Sequence, residues 1–454
     1  MTRIVIENAH IATVDPDDTE IAGGHVIVAG NRIEAVGSGP APAVPDVVRR
    51  VDASGHLVTP GLVNTHHHFF QWITRGLAQN SALFDWLVEL YPTWAHIDDA
   101  LCHAAAQGSA AALMLSGCTT ATDHAYVFPR DGGDILGAEI AAVAALGLRF
   151  QPTRGSMDLS VDDGGLPPAN VTEDTDEALA ATEAAIDRWH DPSFDSMLRI
   201  TAAPCSPFSV SAELLRGAAE LARRKGVRLH THGSETVEEE RFCREKFGMG
   251  TTDYFASLGW LGDDVWMAHS IHMSDADIAA FAATRTGVAT CPSSNARIAA
   301  GTARVPALLA AGVPVGLGGD GAASNESGEL GTELRNLALF NRVAWGPDAM
   351  PVRRALRVAT MGGAQVLGRE REIGSLEPGK LADLAVWKLD GFRHAGVADK
   401  VAALVLGAAA PLTLMLVDGI PVVEHGHLAR VDEDAIARNA ADAAATLARR
   451  AGLH

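Results

Sequence analysis

Hydrophobic and polar positions follow two different rhythms along the chain. Short apolar runs separated by turn residues mark the N-terminal part, at 4–7, 10–14, 25–28 and 32–36. The same texture returns near the C-terminus, at 382–387, 412–417 and 420–424. Such runs are typical of short β-strands, so both chain ends are predicted to build a small β-sandwich domain.

Between these ends, apolar strands alternate with alanine-rich helical stretches such as 212–224 and 275–283. The candidate strands end in the segments 63–66, 120–124, 150–154, 200–204, 228–232, 266–269, 288–291 and 315–320. Repeated strand–helix units indicate a parallel sheet, and eight such units over about 300 residues favour a closed barrel.

The predicted fold class is therefore α/β, with a (β/α)8 TIM-type barrel and a small β-sandwich domain built from both chain ends. The sandwich is predicted over 1–59 with 366–430, and the barrel over 60–365. The alanine-rich tail, 431–454, is predicted as a C-terminal helix that packs on the body.

Composition and charge narrow the class of protein. The 454-residue chain is 47% hydrophobic, which suffices for a large core, and its net charge of −20 repels phosphate backbones and anionic lipids. No nucleic acid and no membrane are therefore expected as partners. The five scattered cysteines contain no CxxC pair and the N-terminus does not resemble a signal peptide, so a cytoplasmic location is predicted. The uncharged stretch 401–417 is interpreted as a buried helix followed by a strand, because Gly407 and Pro411 interrupt it.

Histidines follow the first predicted barrel strand. Because alternate side chains of a strand share a face, His66 and His68 can bind one metal ion, whereas His67 points the other way. A fifth strand ends at His232, with Glu235 three residues further on, where its carboxyl can reach a metal-bound water. Satisfied core histidines and a surface glutamate are the structural alternatives, and the role of His230 stays open.

Two more strand ends carry polar residues. His269 ends the sixth strand, with the role of the later His272 left open, and Asp320 follows a glycine-rich eighth strand. An aspartate there is costly to bury without a cation, although it can also be a helix cap or turn residue. Three imidazoles and one carboxylate from separate strand ends form a site suited to one divalent ion, Zn2+ or alternatively Fe2+.

These motifs resemble those of the amidohydrolase superfamily. The similarity rests on the segment 60–68, on His232-x-x-Glu235, on His269, on Gly318-x-Asp320-Gly and on the closing run 373–387. The resemblance implies that four residues bind the metal, namely His66, His68, His232 and Asp320. It also implies that Glu235 and His269 are catalytic, and the mechanism predicted from it has Asp320 accept the proton of the attacking water. A homo-oligomer is the common state of such barrels.

Within that superfamily, the chain resembles the cytosine/guanine/triazine deaminase branch, and most of all the bacterial 8-oxoguanine deaminases. Binuclear relatives use a lysine on the fourth strand, and the corresponding segment 201–205 has none, which implies a mononuclear site. The implied reaction is deamination of a purine-like heterocycle, 8-oxoguanine to urate and ammonia. The alternatives are an s-triazine amino- or chlorohydrolase of hydroxyatrazine type, an isocytosine or guanine deaminase, and a catalytically inactive barrel that serves as a binding module.

Further side chains are predicted to contact the small-molecule substrate, and these are Gln71, Trp94, Cys205, Ser206, His124 and Arg154. Gln71 can both donate to and accept from an amide-like ring edge. Trp94 can stack on the ring or fill the core. Arg154 can contact the substrate or pair with acidic loop residues.

Overall fold

The computed structural model describes residues 2–453, and its strands fall into three groups along the chain. The first five are β1 (Arg3–Ala12), β2 (Glu20–Ala29), β3 (Arg32–Ser38), β4 (Val47–Asp52) and β5 (His56–Pro60). Next come β6 (Leu62–Asn64), β7 (Cys118–Ala125), β8 (Arg149–Ser156), β9 (Thr201–Pro204), β10 (Leu229–Gly233), β11 (Val265–His269), β12 (Gly287–Thr290) and β13 (Val315–Leu317). The last are β14 (Leu384–Lys388), β15 (Leu412–Val417), β16 (Ile420–Glu424) and β17 (His427–Leu428).

The middle group forms the predicted barrel. Within residues 2–453, strands β6 to β13 are parallel to their neighbours and close into an eight-stranded barrel, in which β13 pairs with β6 through Leu317 and Asn64. All eight predicted strands are present, and the fold class is confirmed. Because the strands are parallel, their carboxyl ends meet at one mouth, where barrel enzymes place their chemistry.

The strands from the two chain ends form a second sheet, as predicted. In the described part of the chain this is one continuous nine-stranded mixed sheet, in which β5 joins β1 to β14. The sheet curls, since β3 pairs at Arg32 with Leu381, just before β14. The two runs predicted as separate strands, 4–7 and 10–14, meet in one strand, β1, which ends at Ala12. Between the runs, Asn8 takes a φ of +62°, and the pairing with β2 shifts register there without ending the strand.

The helices cover the barrel and are bounded as follows: α1 (Leu83–Trp94), α2 (Asp99–Leu115), α3 (Ile135–Leu146), α4 (Thr175–Trp189), α5 (Ala212–Lys225), α6 (Val237–Phe247), α7 (Thr251–Ser257), α8 (Asp275–Thr284), α9 (Pro292–Arg297), α10 (Val305–Ala310), α11 (Leu330–Trp345), α12 (Val352–Arg357), α13 (Gly363–Val366), α14 (Lys400–Leu406) and α15 (Glu433–Arg450). Their ends follow capping rules. In α5, for example, the side chain of Ser211 accepts the N–H of Leu214, and Gly226 ends the helix at a φ of +69°.

Two segments in the C-terminal part of the chain, 401–417 and the final helix, remain to be placed. The uncharged stretch 401–417 folds into α14 and β15, as predicted, and none of the helices described in residues 2–453 is long and apolar enough to cross a membrane. The final helix, α15, lies against α2.

Candidate metal centre and active site

The polar residues predicted from the strand ends meet at the mouth of the barrel. His66 and His68 follow β6, His232 lies in β10, His269 ends β11, and Asp320 follows β13. His269 and Asp320 have φ angles of +69° and +60°, a conformation that L-residues rarely adopt. The backbone N–H of Asp320 donates to the carbonyl of His66 at 3.0 Å. This local strain is retained where it directs both side chains into the mouth.

Four ligand atoms converge at the centre of this cluster. Nε2 of His68 lies 3.2 Å from Nε2 of His232 and 3.4 Å from Oδ1 of Asp320. Nε2 of His66 lies 3.3 Å from the same oxygen, and it has no hydrogen-bond partner within residues 2–453. The side chains are buried, so these nitrogens have little contact with solvent. A cation between them would satisfy all four atoms at once.

The second nitrogen of each imidazole fixes the tautomer. Nδ1 of His68 donates to the carbonyl of His124 at 2.8 Å, and Nδ1 of His232 donates to the carbonyl of Cys205 at 2.7 Å. Nδ1 of His66 donates to Nε2 of His230 at 2.8 Å. This Nε2 can accept because Nδ1 of His230 carries the proton and donates to the carbonyl of Trp266 at 3.0 Å. His230, whose role the sequence left open, therefore holds His66 in place.

The three imidazoles thus direct Nε2 lone pairs at the centre, as metal ligands do. Burial lowers the pKa of His66 well below its ordinary value and lowers the pKa of His232 to about 3, so both rings are neutral. Burial opposes ionisation of Asp320, but the pKa of its carboxyl lies well below the usual range, with His269, whose own pKa is raised beside Glu235 and Asp320, among the groups that lower it. Neutral imidazoles and an ionised carboxylate are the forms that bind a divalent ion.

Two further side chains approach this centre. His124 forms a group with the three imidazoles in which the ligand atoms lie within 4.8 Å of one another. Its Nε2 donates to the carbonyl of Ala203 at 2.9 Å, and its Nδ1 has no partner among the described residues. Cys291 forms such a group with His66 and Asp320. Burial raises the pKa of the Cys291 thiol well above its ordinary value, which disfavours the thiolate that a metal needs.

Glu235 and His269 face each other beside the four ligand atoms. Nε2 of His269 lies 3.5 Å from Oε1 of Glu235 and 3.9 Å from Oδ2 of Asp320, while its Nδ1 contacts Oδ1 of Asn295 at 2.8 Å. Burial raises the pKa of Glu235 to about 7, although His269 opposes the shift. The carboxyl of Glu235 can therefore hold or release a proton near neutral pH.

The position of Glu235 depends on a second buried carboxylate. Glu239, on the first turn of α6, accepts the N–H of Ser234 through Oε1 at 2.6 Å and the N–H of Glu235 through Oε2 at 3.3 Å. Ser234 has a φ of +52°, so the turn is strained before it reaches Glu235. The carboxylate of Glu239 holds this turn.

A cavity opens onto the cluster, and its walls contain both predicted and unexpected residues. Its lining is His68, Gln71, Leu83, Trp86, Leu87, Tyr91, Tyr126, Cys205, Ser206, Phe208, His232, Glu235, His269, Ser294, Ile298, Asp320 and Ser324. Three of the predicted substrate contacts, Gln71, Cys205 and Ser206, are among them. Both amide atoms of Gln71 are buried without a partner among the described residues. Any side chain at Gly321 would collide with this amide, because a Cβ there would lie 1.9 Å from its Oε1.

The other three predicted substrate contacts lie outside this lining. Trp94 is fully buried, and its Nε1 donates to Oγ1 of Thr74 at 3.1 Å, so it fills the core. His124 lies behind the imidazoles, stacked on His232 with ring centroids 4.8 Å apart. Arg154 pairs with Glu173 at 2.5 Å in a separate cleft, in agreement with the alternative that it pairs with an acidic loop residue.

Four residues of the site were not predicted from their sequence pattern, namely Leu83, Trp86, Leu87 and Asn295. A signal for the first three exists, because Leu83, Trp86 and Leu87 recur at helical spacing on one face of α1. Asn295 has no signal of its own, since its side chain meets His269 from α9, the short helix that follows β12.

The donors of this cluster fit a divalent metal ion. Three imidazole nitrogens and one carboxylate oxygen suit Zn2+, and the open cavity beside them leaves room for a water or substrate atom. A parallel (β/α)8 barrel with such a cluster at its mouth defines the class of metal-dependent barrel hydrolases.

Comparison with known proteins specifies the family. The chain belongs to the amidohydrolase family, whose model matches residues 57–422. The chain is 43% identical to 8-oxoguanine deaminase of Pseudomonas aeruginosa, over 99% of this chain and 100% of the relative. It is 37% identical to hydroxydechloroatrazine ethylaminohydrolase of Pseudomonas sp. (strain ADP), over 87% of this chain and 83% of the relative. The first relative therefore covers nearly the whole of this chain, and the second covers most of it.

Solved structures agree with this assignment. Atrazine chlorohydrolase from Arthrobacter aurescens TC1, complexed with zinc, superposes with a TM-score of 0.92 at 30% identity, over 97% of this chain and 100% of that one. The family is metal-dependent, and the chain is a hydrolase that cleaves C–N bonds, which rules out the inactive barrel weighed from the sequence.

Proposed function

We propose that this enzyme is a hydrolytic deaminase of a purine-like heterocycle, with 8-oxoguanine as its substrate and urate and ammonia as its products. The observation that carries the reaction class is the convergence of three imidazole nitrogens and the Asp320 carboxylate beside the Glu235–His269 pair. The 43% identity to an 8-oxoguanine deaminase over the full chain supports the choice of substrate.

In this proposal, His66, His68, His232 and Asp320 hold one divalent ion, Zn2+, with Fe2+ as the alternative. The bound ion supplies Lewis-acid activation of a water molecule near neutral pH. The free oxygen of Asp320, Oδ2, takes up the proton that this water loses, since it lies on the side facing His269.

Glu235 protonates a ring nitrogen of the heterocycle while the adjacent carbon, which bears the amino group, is attacked. His269 hydrogen-bonds the incoming oxygen and is held by Asn295. The proton stored on Asp320 is then delivered to the amino group, which leaves as ammonia. The remaining proton of the added hydroxyl group returns to Glu235 as that oxygen becomes the product carbonyl. One water is consumed, and a C–O bond replaces the C–N bond. The unpartnered amide of Gln71 binds an edge of the ring.

The test is a deamination screen on zinc-loaded protein, read by ammonia release and by product identity. We expect the highest kcat/KM with 8-oxoguanine, ahead of guanine and isocytosine. An iron-loaded sample tests the choice of metal. Ammonia release from none of these bases would contradict the proposal.

A second candidate is an s-triazine amino- or chlorohydrolase. The 37% identity to hydroxydechloroatrazine ethylaminohydrolase and the likeness to triazine hydrolase structures favour it. Including hydroxy-s-triazines in the same screen separates the two, since kcat/KM for a triazine above that for 8-oxoguanine would favour this second reaction. We also propose a homo-oligomer, which sedimentation equilibrium tests directly.

A further inference from the structure

One unpartnered donor in the cavity wall is not used by the proposed mechanism. Trp86 lies on α1 with 4% of its surface exposed, and its neighbours on the same helix face, Leu83, Leu87 and Tyr91, line the cavity beside it. Its indole Nε1 is buried and has no hydrogen-bond partner among residues 2–453.

The other buried tryptophans show that this is unusual for the chain. Each of them donates its indole N–H to a protein oxygen at 2.8–3.1 Å, and these are Trp94 to Thr74, Trp260 to Leu215, Trp266 to Thr65 and Trp387 to Thr59. None of these four belongs to the lining described above. Among the buried tryptophans, Trp86 is thus the one whose indole N–H has no protein acceptor in the described chain, so this donor is available to a ligand.

The chemistry of the wall limits what that partner is. An indole N–H only donates, so its partner must be a hydrogen-bond acceptor. The leucines around it form an apolar surface, which penalises a charged acceptor and favours a neutral carbonyl oxygen.

We propose that the indole N–H of Trp86 is a specificity-determining donor that binds one carbonyl oxygen on the substrate ring. This inference rests on the proposed function, and it adds a second recognition group to Gln71. An enzyme site that hydrogen-bonds a substrate oxygen rejects an analogue without that oxygen, because the buried donor then stays unpaired.

The test combines one substitution with three substrates. Trp86→Phe keeps an aromatic ring and removes the donor, and its kcat/KM is compared with wild type on 8-oxoguanine, on guanine, which lacks the 8-oxygen, and on 2-amino-8-oxopurine, which lacks the 6-oxygen. For an analogue that binds without turnover, Ki replaces kcat/KM. We expect a loss of about tenfold to a hundredfold on 8-oxoguanine. We expect that loss to vanish for the one analogue that lacks the contacted oxygen.

The space left by the smaller ring affects all three ligands equally, so it cancels in this comparison. The matched control is Trp260→Phe, which removes an indole N–H that is satisfied by Leu215 and does not belong to the cavity lining. It should change the ratios between the three ligands by less than twofold.

The outcomes separate the two proposals. An active wild type with the same Trp86→Phe loss on all three ligands, or with the same ratios as Trp260→Phe, overturns the role of Trp86 alone. A wild type that releases ammonia from none of the bases overturns the proposed function and this inference with it.

Discussion

The buried ion pair of Arg149 at the base of the barrel and the histidine cluster at its mouth differ in how their polar atoms are satisfied. At the base, where β8 begins, the guanidinium of Arg149 meets Asp383 through Nε at 2.7 Å and through Nη2 at 3.0 Å. Its Nη1 donates to the carbonyl of Ser196 at 2.7 Å, and Asp383 also accepts the N–H of Asp418 at 2.7 Å. At the mouth, Nε2 of His66 and Nε1 of Trp86 are buried without partners in the described chain.

This difference distinguishes polar groups that stabilise the fold from polar groups that bind a ligand. A buried polar atom without a partner costs about 1–3 kcal/mol, so a chain retains several of them together only where something else completes them. The ion pair at the base joins the barrel to the small sheet and is complete without a ligand. In the proposed site, a cation and a substrate complete the cluster at the mouth.

Metal removal should have the largest effect, and it should act on the mouth of the barrel and not on the base. Exhaustive chelation is expected to abolish turnover, because His66, His68, His232 and Asp320 then surround no ion, and readdition of Zn2+ should restore it. By mass action, the ion should also stabilise the folded state by about 4 kcal/mol at a thousandfold excess over Kd. The melting temperature should rise accordingly. Ammonia release and calorimetry measure both effects. Full activity in metal-free protein would contradict the proposed site.

Glu235→Gln should have the next largest effect. The amide cannot hold or deliver the proton, so kcat is expected to fall by about 10²–10⁴-fold, with one metal ion per chain retained. The control is Glu238→Gln, the same chemical change at an exposed position of α6. Steady-state kinetics and metal analysis measure the outcome, and a variant at wild-type rate would refute the assignment.

Asp383→Ala tests the base. It leaves the buried guanidinium of Arg149 with Asp418, at 3.3 Å, as its remaining carboxylate partner. The free energy of unfolding should therefore fall by about 3 kcal/mol, while metal content stays at one ion per chain. Urea unfolding measures the loss. The control is Asp187→Ala, which removes an exposed partner of Lys225 and should cost far less. The double variant Arg149→Met/Asp383→Leu should recover part of the stability, and a worse double variant would contradict this account.

Glu239→Gln is expected to have the smallest effect of the four. The side-chain amide offers one acceptor where the carboxylate offered two, so one N–H of the strained turn at Ser234 loses its partner. We expect kcat to fall about tenfold, with KM and metal content unchanged, because Glu239 positions Glu235 and does not touch the substrate. A change in KM without a change in kcat would assign Glu239 to substrate binding instead.

Much of this site could be predicted from local pattern. The alternation of a strand places His66 and His68 on one face, and parallel strands bring their carboxyl ends together, so the convergence with His232 and Asp320 follows from the strand order. The choice between Trp86 and Trp94 does not follow in this way. Both belong to α1, and only the seating of that helix turns one towards the cavity and buries the other against Thr74.

The order of apolar runs along the chain is enough to predict the barrel, the second sheet from the two chain ends and the strand ends that carry polar side chains. Those features depend on short-range periodicity, which is a property of neighbouring residues. The contacts of His230 with His66, of Asn295 with His269 and of Arg154 with Glu173 are visible only in the folded protein. These partners are 19 to 164 residues apart in the chain, so they are set by how whole elements pack, not by any pattern along the sequence.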